Sequence, residues 1–224
     1  MKIDTHLHSN FSDGKNTPEE MITAAIRKGL NVVAITDHVR KGTDWLDDYS
    51  HEIKRLKERY KKEIKIMCGI EAKVIDLKGN IDARDDFFDK LDIVLGAFHS
   101  IPSEMGFITE GDIQKQKVKA LANWYKAMLA VLQHPRVNVI AHPTKILHEY
   151  GITLPRIMKV KIAKRAKDYG KVFEINIKHN VPDEEFLRIL RENKVRMTIG
   201  SDSHSVVELE GIKYESFNNR STCR

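Results

Sequence analysis

The sequence predicts an α/β fold, a parallel seven-stranded (β/α)7 barrel of the TIM-barrel kind with its site at the C-terminal rim of the strands. Three observations predict it. Short apolar runs alternate with amphipathic, charged segments from end to end, the pattern of a parallel sheet with helical crossovers. The runs are nearly continuous in apolar residues, as strands covered on both faces require. Almost every run also ends on a histidine or an acid: MKIDTHLH, NVVAITDH, IKIMCGIE, DIVLGAFHS, VNVIAHP and VRMTIGSDSH. Alternation alone fits an open doubly wound sheet equally well. An open sheet gathers its site at one switch point, whereas polar residues at nearly every strand end favour a closed rim.

The first strand is predicted at residues 3–7. Thr17-Pro18-Glu19-Glu20 then starts a helix: Thr17 caps it, Pro18 suits the first helical position and Glu20 completes a capping box. Met21, Ile22, Ala25 and Ile26 form its apolar stripe and Gly29 ends it. Strand two is expected at 31–36, and a charged helix within 45–62 turns Ile53, Leu56 and Tyr60 inward. Strand three follows at 64–70, then a polar stretch over 74–90 with a turn at Gly79-Asn80 and a short helix after Ala83. Strand four is placed at 92–98, a loop at 102–109 and one long helix over 112–133. Strand five is expected at 137–141, a helix at 154–169 closed by Gly170, and strand six at 172–177. Pro182 opens a helix to about residue 193, and strand seven spans 195–199. No linker, repeat or low-complexity segment interrupts the series, so one domain is expected over residues 1–224, with a short tail from about residue 212.

Composition agrees with a globular protein: 41% of the 224 residues are hydrophobic and 31% charged. No apolar stretch reaches the roughly 18 residues of a membrane span. The N-terminus runs straight into a strand without the apolar core of a signal peptide. Cys68 and Cys223 make no framework; Cys68 reads as a small core residue, and a reducing, cytoplasmic compartment is expected. The net charge of +6 suits an anionic substrate, but the lysines are dispersed and read first as a solvated surface.

The strand ends carry the chemistry. His6 and His8 stand at i and i+2 of a strand, so both imidazoles face one side. Asp13 follows in a turn-forming Ser-Asp-Gly. Asp37 and His38 close strand two, where His38 reads as a ligand and Asp37 as a group that orients one. Glu71 ends strand three and suits a bridge between two metals; His99 and His142 close strands four and five. Asp202 and His204 repeat the i, i+2 spacing after strand seven. Singly, each reads as a turn residue, a rim acid or a hydrogen-bonded histidine; together they form a nitrogen- and oxygen-donor set without cysteine. Such a set suits zinc, manganese or iron. Nine ligands are too many for one ion and suit two or three.

The set DTHLHSNFSDG, TDH, GIE, FHS, AHP and SDSH, in this order from Met1 to about Ser205, resembles the PHP (polymerase and histidinol phosphatase) family of metal-dependent phosphoesterases. The resemblance implies a distorted seven-stranded barrel and a trinuclear site. His6, His8, Glu71 and Asp202 would hold the first ion; Glu71 would bridge to a second completed by His99 and His142; Asp13, His38 and His204 would hold the third. It also implies hydrolysis of a small phosphomonoester, as in histidinol phosphatases, with nucleotide or oligonucleotide phosphodiesterase activity, or a non-catalytic metal-stabilised module, as alternatives. Attack by a hydroxide bridging the ions is expected, with Glu71 at the bridge and Asp202 or Asp37 steering the water. Phosphate needs fixed positive charge, for which Arg40, Lys15, Lys145 and Lys178 are the candidates, Arg40 first for its forked donors. Lys41 shares their side of the strands. Glu174 and Asn176 share a face of strand six and are expected to line the mouth or orient ligands. Trp45 and Phe107 lie in rim-side loops. His51, His134, His148 and His179 read as ordinary histidines. Aromatics make up 7% of the chain and are dispersed, which ranks nucleic acid below a small molecule as partner. Nothing in the sequence sets an oligomeric state.

Overall fold

Strand order follows chain order around one parallel sheet: β1 (Ile3–Leu7), β2 (Val32–Val39), β3 (Lys65–Lys73), β4 (Ile93–Ala97), β5 (Val139–Ile140), β6 (Val172–Asn176) and β7 (Arg196–Gly200). This is a computed structural model. It describes residues 2–214, so Cys223 and most of the expected tail lie outside the described residues. The sheet is a nearly closed barrel. Its last seam, between β7 and β1, holds a single backbone bridge, Leu7 to Ser203. Side chains and the loop after β7 complete it. Thr5 and Thr198 hydroxyls meet at 2.9 Å, His8 N–H donates to Ser203 O (3.0 Å) and Asp202 N–H to His6 O (2.9 Å). The fully buried Asp4 carboxylate accepts from Ser201 N–H (3.0 Å), His6 N–H (3.1 Å) and the Tyr214 hydroxyl.

Eight helices cover the strands: α1 (Pro18–Arg27), α2 (Leu46–Tyr60), α3 (Glu110–Lys115), α4 (Lys117–Val131), α5 (Lys145–Glu149), α6 (Arg156–Asp168), α7 (Glu184–Glu192) and α8 (Val206–Gly211), counted among the described residues. The capping box of α1 forms as its sequence requires, Thr17 N–H donating to Glu20 Oε2 (2.8 Å) and Glu20 N–H to Thr17 Oγ1 (3.3 Å). The main core lies between helices and strands. A second, small cluster of Ala34, Ile93, Leu95, Ala97, Val139 and Ala141 fills the barrel interior. Alternation carries this inward face up each strand: Ala34, Thr36, His38 on β2; Met67, Gly69, Glu71, Lys73 on β3; Ile93, Leu95, Ala97 and then His99 on β4. The candidate ligands are therefore the top layer of a packed barrel.

Several expectations change. β2 and β3 run three residues beyond their apolar runs, because His38 and Val39 pair in register with Glu71 and Ala72. The helix expected over 112–133 is two. Thr109 caps α3 through Asp112 N–H (3.2 Å), and Gln116 leaves helical geometry (φ −130°, ψ 47°) before α4 begins. The loop at 102–109 contains a short antiparallel hairpin, Pro102–Ser103 with Gly106–Phe107. Cys68 is buried as expected. Among the described residues, no helix is long and apolar enough to cross a membrane.

Tyr214→Phe removes one donor from the buried Asp4 carboxylate at the seam. Urea denaturation is expected to show a loss of about 1.5 kcal/mol; unchanged stability would count against this account of closure.

Candidate metal centre

Glu71 is the centre of the arrangement. Its side chain is fully enclosed, with five imidazoles around it. Oε1 lies 2.8 Å from His142 Nε2 and 3.3 Å from His99 Nε2. Oε2 lies 2.9 Å from His38 Nδ1, 3.4 Å from His6 Nε2 and 3.6 Å from His8 Nε2. Asp13, on the loop after β1, faces three more donors: Oδ2 is 3.4 Å from His204 Nε2 and 3.6 Å from His38 Nε2, and Oδ1 is 3.8 Å from His8 Nδ1. Asp202 Oδ1 reaches His8 Nε2 at 3.4 Å, His204 Nδ1 at 3.6 Å and His6 Nε2 at 3.8 Å. All nine residues singled out from the strand ends thus meet in one mouth. Three subsets have donor atoms within 4.8 Å of one another: His8, Asp13, His38 and His204; His6, His8 and Glu71; His38, Glu71 and His99. These overlap the implied grouping without reproducing it, since His8 and His38 each stand in two.

The donors are prepared for cations. His6 Nδ1 bonds the buried Glu174 Oε1 at 2.7 Å, and His204 Nδ1 bonds Asp202 O at 2.9 Å. Each bond places a ring proton on Nδ1 and aims Nε2 into the mouth, where a cation can take the place of any proton it carries. His6 Nε2 then stands 3.0 Å from His8 Nε2. Among the mouth's described residues, His8 Nδ1 and His142 Nδ1 are buried without a hydrogen-bond partner, and Glu71 Oε2 has only the poorly aligned His38 Nδ1 at 2.9 Å, an arrangement that is costly unless a ligand satisfies it. Burial lowers the His8 pKa to about 4, the histidine charge of His6 adding to the effect against Asp202, so its ring is neutral near pH 7. Burial also opposes charge on His6, yet Glu174, Glu71 and Asp202 push its pKa well above the usual value. Burial raises the carboxyl pKa values of Glu71 and Asp202, but histidine charges and hydrogen bonds override it and hold both well below the usual range. Anionic carboxylates, ring nitrogens facing inward and a position that attracts positive charge fit divalent cations bound by nitrogen and oxygen. The backbone is left-handed at two of these residues, His142 (φ 27°) and Asp202 (φ 55°), a cost of roughly 1–3 kcal/mol each.

Other residues fall differently from expectation. Asp37 is a correction: with His38 facing inward, alternation turns Asp37 the other way. Its oxygens are taken up by Ser9 N–H (2.8 Å), Ser9 Oγ (2.6 Å) and Ser12 Oγ (2.6 Å), so it braces the loop carrying Asp13 and does not reach the mouth as a proton relay. Lys145 is a second correction, its Nζ turning along α5 to Glu149 (3.6 Å). Lys15 gives its backbone N–H to His204 O (2.8 Å) and leaves its side chain in solvent. Lys178 Nζ stands at Asp202 O (3.2 Å) and His204 Nδ1 (3.5 Å), and like Lys145 it has an acid nearby, Glu208 Oε2 at 3.5 Å. Arg40 lines the adjoining cleft with Asp13, His38, Glu71 and His99; Phe11 and Trp45 form its far wall. His179, read from the sequence as ordinary, belongs to the site: Nε2 is 3.1 Å from Asp202 Oδ2. Its signal was positional, since β6 was the one strand with no ligand assigned and His179 follows its end by three residues. Lys73, not singled out from sequence, also faces the cleft. Glu174 is completed by Gly200, where a Cβ would come within 1.8 Å of Glu174 Oε1.

Comparison with known proteins places these features in context. The family model described as PHP domain matches residues 4–178, a stretch that contains seven of the nine and stops short of Asp202 and His204. A relative from Acetivibrio thermocellus named "Probable phosphatase" is 30% identical over 217 residues, covering 92% of this chain and 81% of its own. A Bacillus subtilis protein named DNA polymerase/3'-5' exonuclease PolX is 29% identical over 226 residues, covering 95% of this chain and 36% of its own. Among solved structures, histidinol phosphate phosphatase from Lactococcus lactis, complexed with zinc, L-histidinol and phosphate, superposes with a TM-score of 0.64 at 22% identity, covering 93% of this chain and 89% of its own.

Glu174→Gln leaves the shape of the pocket but removes the carboxylate that fixes the His6 tautomer. Zinc affinity, measured by competition with a chromophoric chelator, should fall 10- to 100-fold; wild-type affinity in a folded variant would contradict that role.

Proposed function

The chain belongs to the PHP family, and from that membership we propose that it hydrolyses small-molecule phosphomonoesters with two or three divalent ions bound at the barrel mouth. The observation that carries the reading is the meeting of nine nitrogen- and oxygen-donor residues, five imidazoles among them around the buried Glu71, beside an open cleft. In this reading His6, His8, Glu71 and Asp202 would hold one ion, Glu71 with His99 and His142 a second, and Asp13, His38 and His204 a third. When bound, such ions neutralise the phosphoryl oxygens and make water acidic enough to serve as nucleophile near neutral pH. The chain's own residues do the rest. Glu174 and the Asp202 carbonyl keep His6 and His204 in the ligating tautomer. His179 holds Asp202 by its second oxygen, leaving the first directed at His6 and His8. Lys178 brings positive charge to the mouth beside the Asp202 carbonyl, with Glu208 at 3.5 Å, and Arg40 lines the cleft that opens from it.

The Acetivibrio relative's name supports phosphatase chemistry, and the ligands of the Lactococcus protein support a small phosphomonoester as the substrate type. A panel of phosphoesters with metal-reconstituted protein tests the reading: histidinol phosphate, sugar phosphates, nucleoside monophosphates and short oligonucleotides. Turnover confined to oligonucleotides would replace it with a nuclease.

Chelation is expected to abolish turnover and added zinc, manganese or ferrous ion to restore it. Glu71→Ala should lower kcat/KM at least a thousandfold and reduce the metal content measured by elemental analysis. Wild-type rates in either experiment would end the proposal.

A further inference from the structure

Two residues beyond His38 and Glu71 stand Arg40, just past the end of β2, and Lys73, the last residue of β3 on the same side as Glu71. Both line the cleft of about 600 Å³ into which His38, Glu71 and His99 also face. A two-residue step along extended chain is roughly 7 Å, which sets their backbones outward of His38 and Glu71. Among the described residues neither makes an ion pair with a carboxylate, although Asp82 attracts Lys73 from farther away. Arg27, Arg55 and Arg84 each grip an acid, whereas Arg40 holds none among the described residues; its backbone is pinned instead, Arg40 N–H donating to Thr43 Oγ1 at 2.9 Å. Lys73 Nζ donates to Ser100 Oγ at 2.9 Å and sits 3.7 Å from the centre of the Phe107 ring. A hydroxyl and an aromatic face orient that ammonium without neutralising it. Apart from the candidate ligands Asp13 and Glu71, the cleft contains one acid, Asp82, whose Oδ1 already accepts the Lys41 N–H at 3.0 Å. Two cations against one acid leave the outer cleft positive. Phe11 and Trp45, with ring centroids 5.6 Å apart, wall the same space and suit the apolar body of a substrate.

We propose that Arg40 and Lys73 form a second anion subsite, which selects phosphomonoesters whose leaving group carries its own carboxylate or phosphate. The inference rests on the phosphomonoesterase reading and narrows its substrate class. Leaving groups that carry an amine, the case for histidinol phosphate, are disfavoured by the same charge.

Four probes of one shape test it on the metal-loaded full chain at fixed ionic strength: phenyl phosphate, 4-carboxyphenyl phosphate, 1,4-phenylene bisphosphate and 4-(aminomethyl)phenyl phosphate. The expected result is a kcat/KM at least tenfold higher for one or both anionic probes than for the aminomethyl probe; whichever anionic probe leads identifies the anion. Lys73→Met and the exposed Arg40→Gln should each shrink that ratio at least fivefold. Comparing variant with wild type on the same probes cancels differences in leaving-group basicity. Equal kcat/KM for all four, or a ratio that survives in both folded variants, overturns the subsite while the hydrolase reading stands. No turnover of these probes or of any phosphoester in the wider panel removes the parent reading and the subsite together.

Discussion

A carboxylate sealed inside a protein needs compensating charge, and Glu71 has neither lysine nor arginine beside it. Its oxygens face five imidazoles, which compensate a carboxylate well only when they are protonated or when they share a cation with it. Asp202 and Glu174 make the demand larger, since both press on His6 from other sides. Much of the upper barrel serves this demand. The strands lengthen to bring His38 and Glu71 into register, Gly200 gives up its side chain so that Glu174 fits, and two ligand positions accept left-handed backbone.

The lower barrel supplies the rigidity. Its interior is a plug of small aliphatic residues, and the donors are the next layer on the same inward faces. A side chain set on a packed strand has few alternative positions, so preorganisation comes from the fold rather than from loops. His6, His38 and Glu71 lie within strands and the other six lie past strand ends, Asp13 and His204 the farthest out. Asp13 is braced from behind by Asp37 through Ser9 and Ser12, and His204 by its bond to the Asp202 carbonyl.

Much of this was legible in the chain because two signals coincide: apolar runs mark strands, and a polar residue closing such a run marks the rim. That coincidence named eight of the nine residues that meet at the mouth, Asp13 being read from its turn beside His6 and His8, while the apolar runs by themselves marked the seven strands. What it missed has physical reasons. Lys73 lies beyond the end of its apolar run, on a strand that continues only because its neighbour pairs with it. His179 reaches Asp202 from a turn, where periodicity carries no information. Asp37 orients a ligand's loop, as one of its two readings had it, but the other, a group steering water, ignored alternation, since a strand that turns His38 inward turns its neighbour outward. Lys145 was placed by proximity in sequence, which says nothing of an ion pair one helical turn away.

The seam between the first and last strands has one further consequence. His6 and His8 belong to one side of it, Asp202 and His204 to the other, and a single backbone bridge joins the two. Any cation shared across that line is a cross-link between the two ends of the folded chain, closing a loop of nearly 200 residues. Occupancy and cohesion then become coupled equilibria, in which the ion serves the architecture as a clasp as well as the reaction.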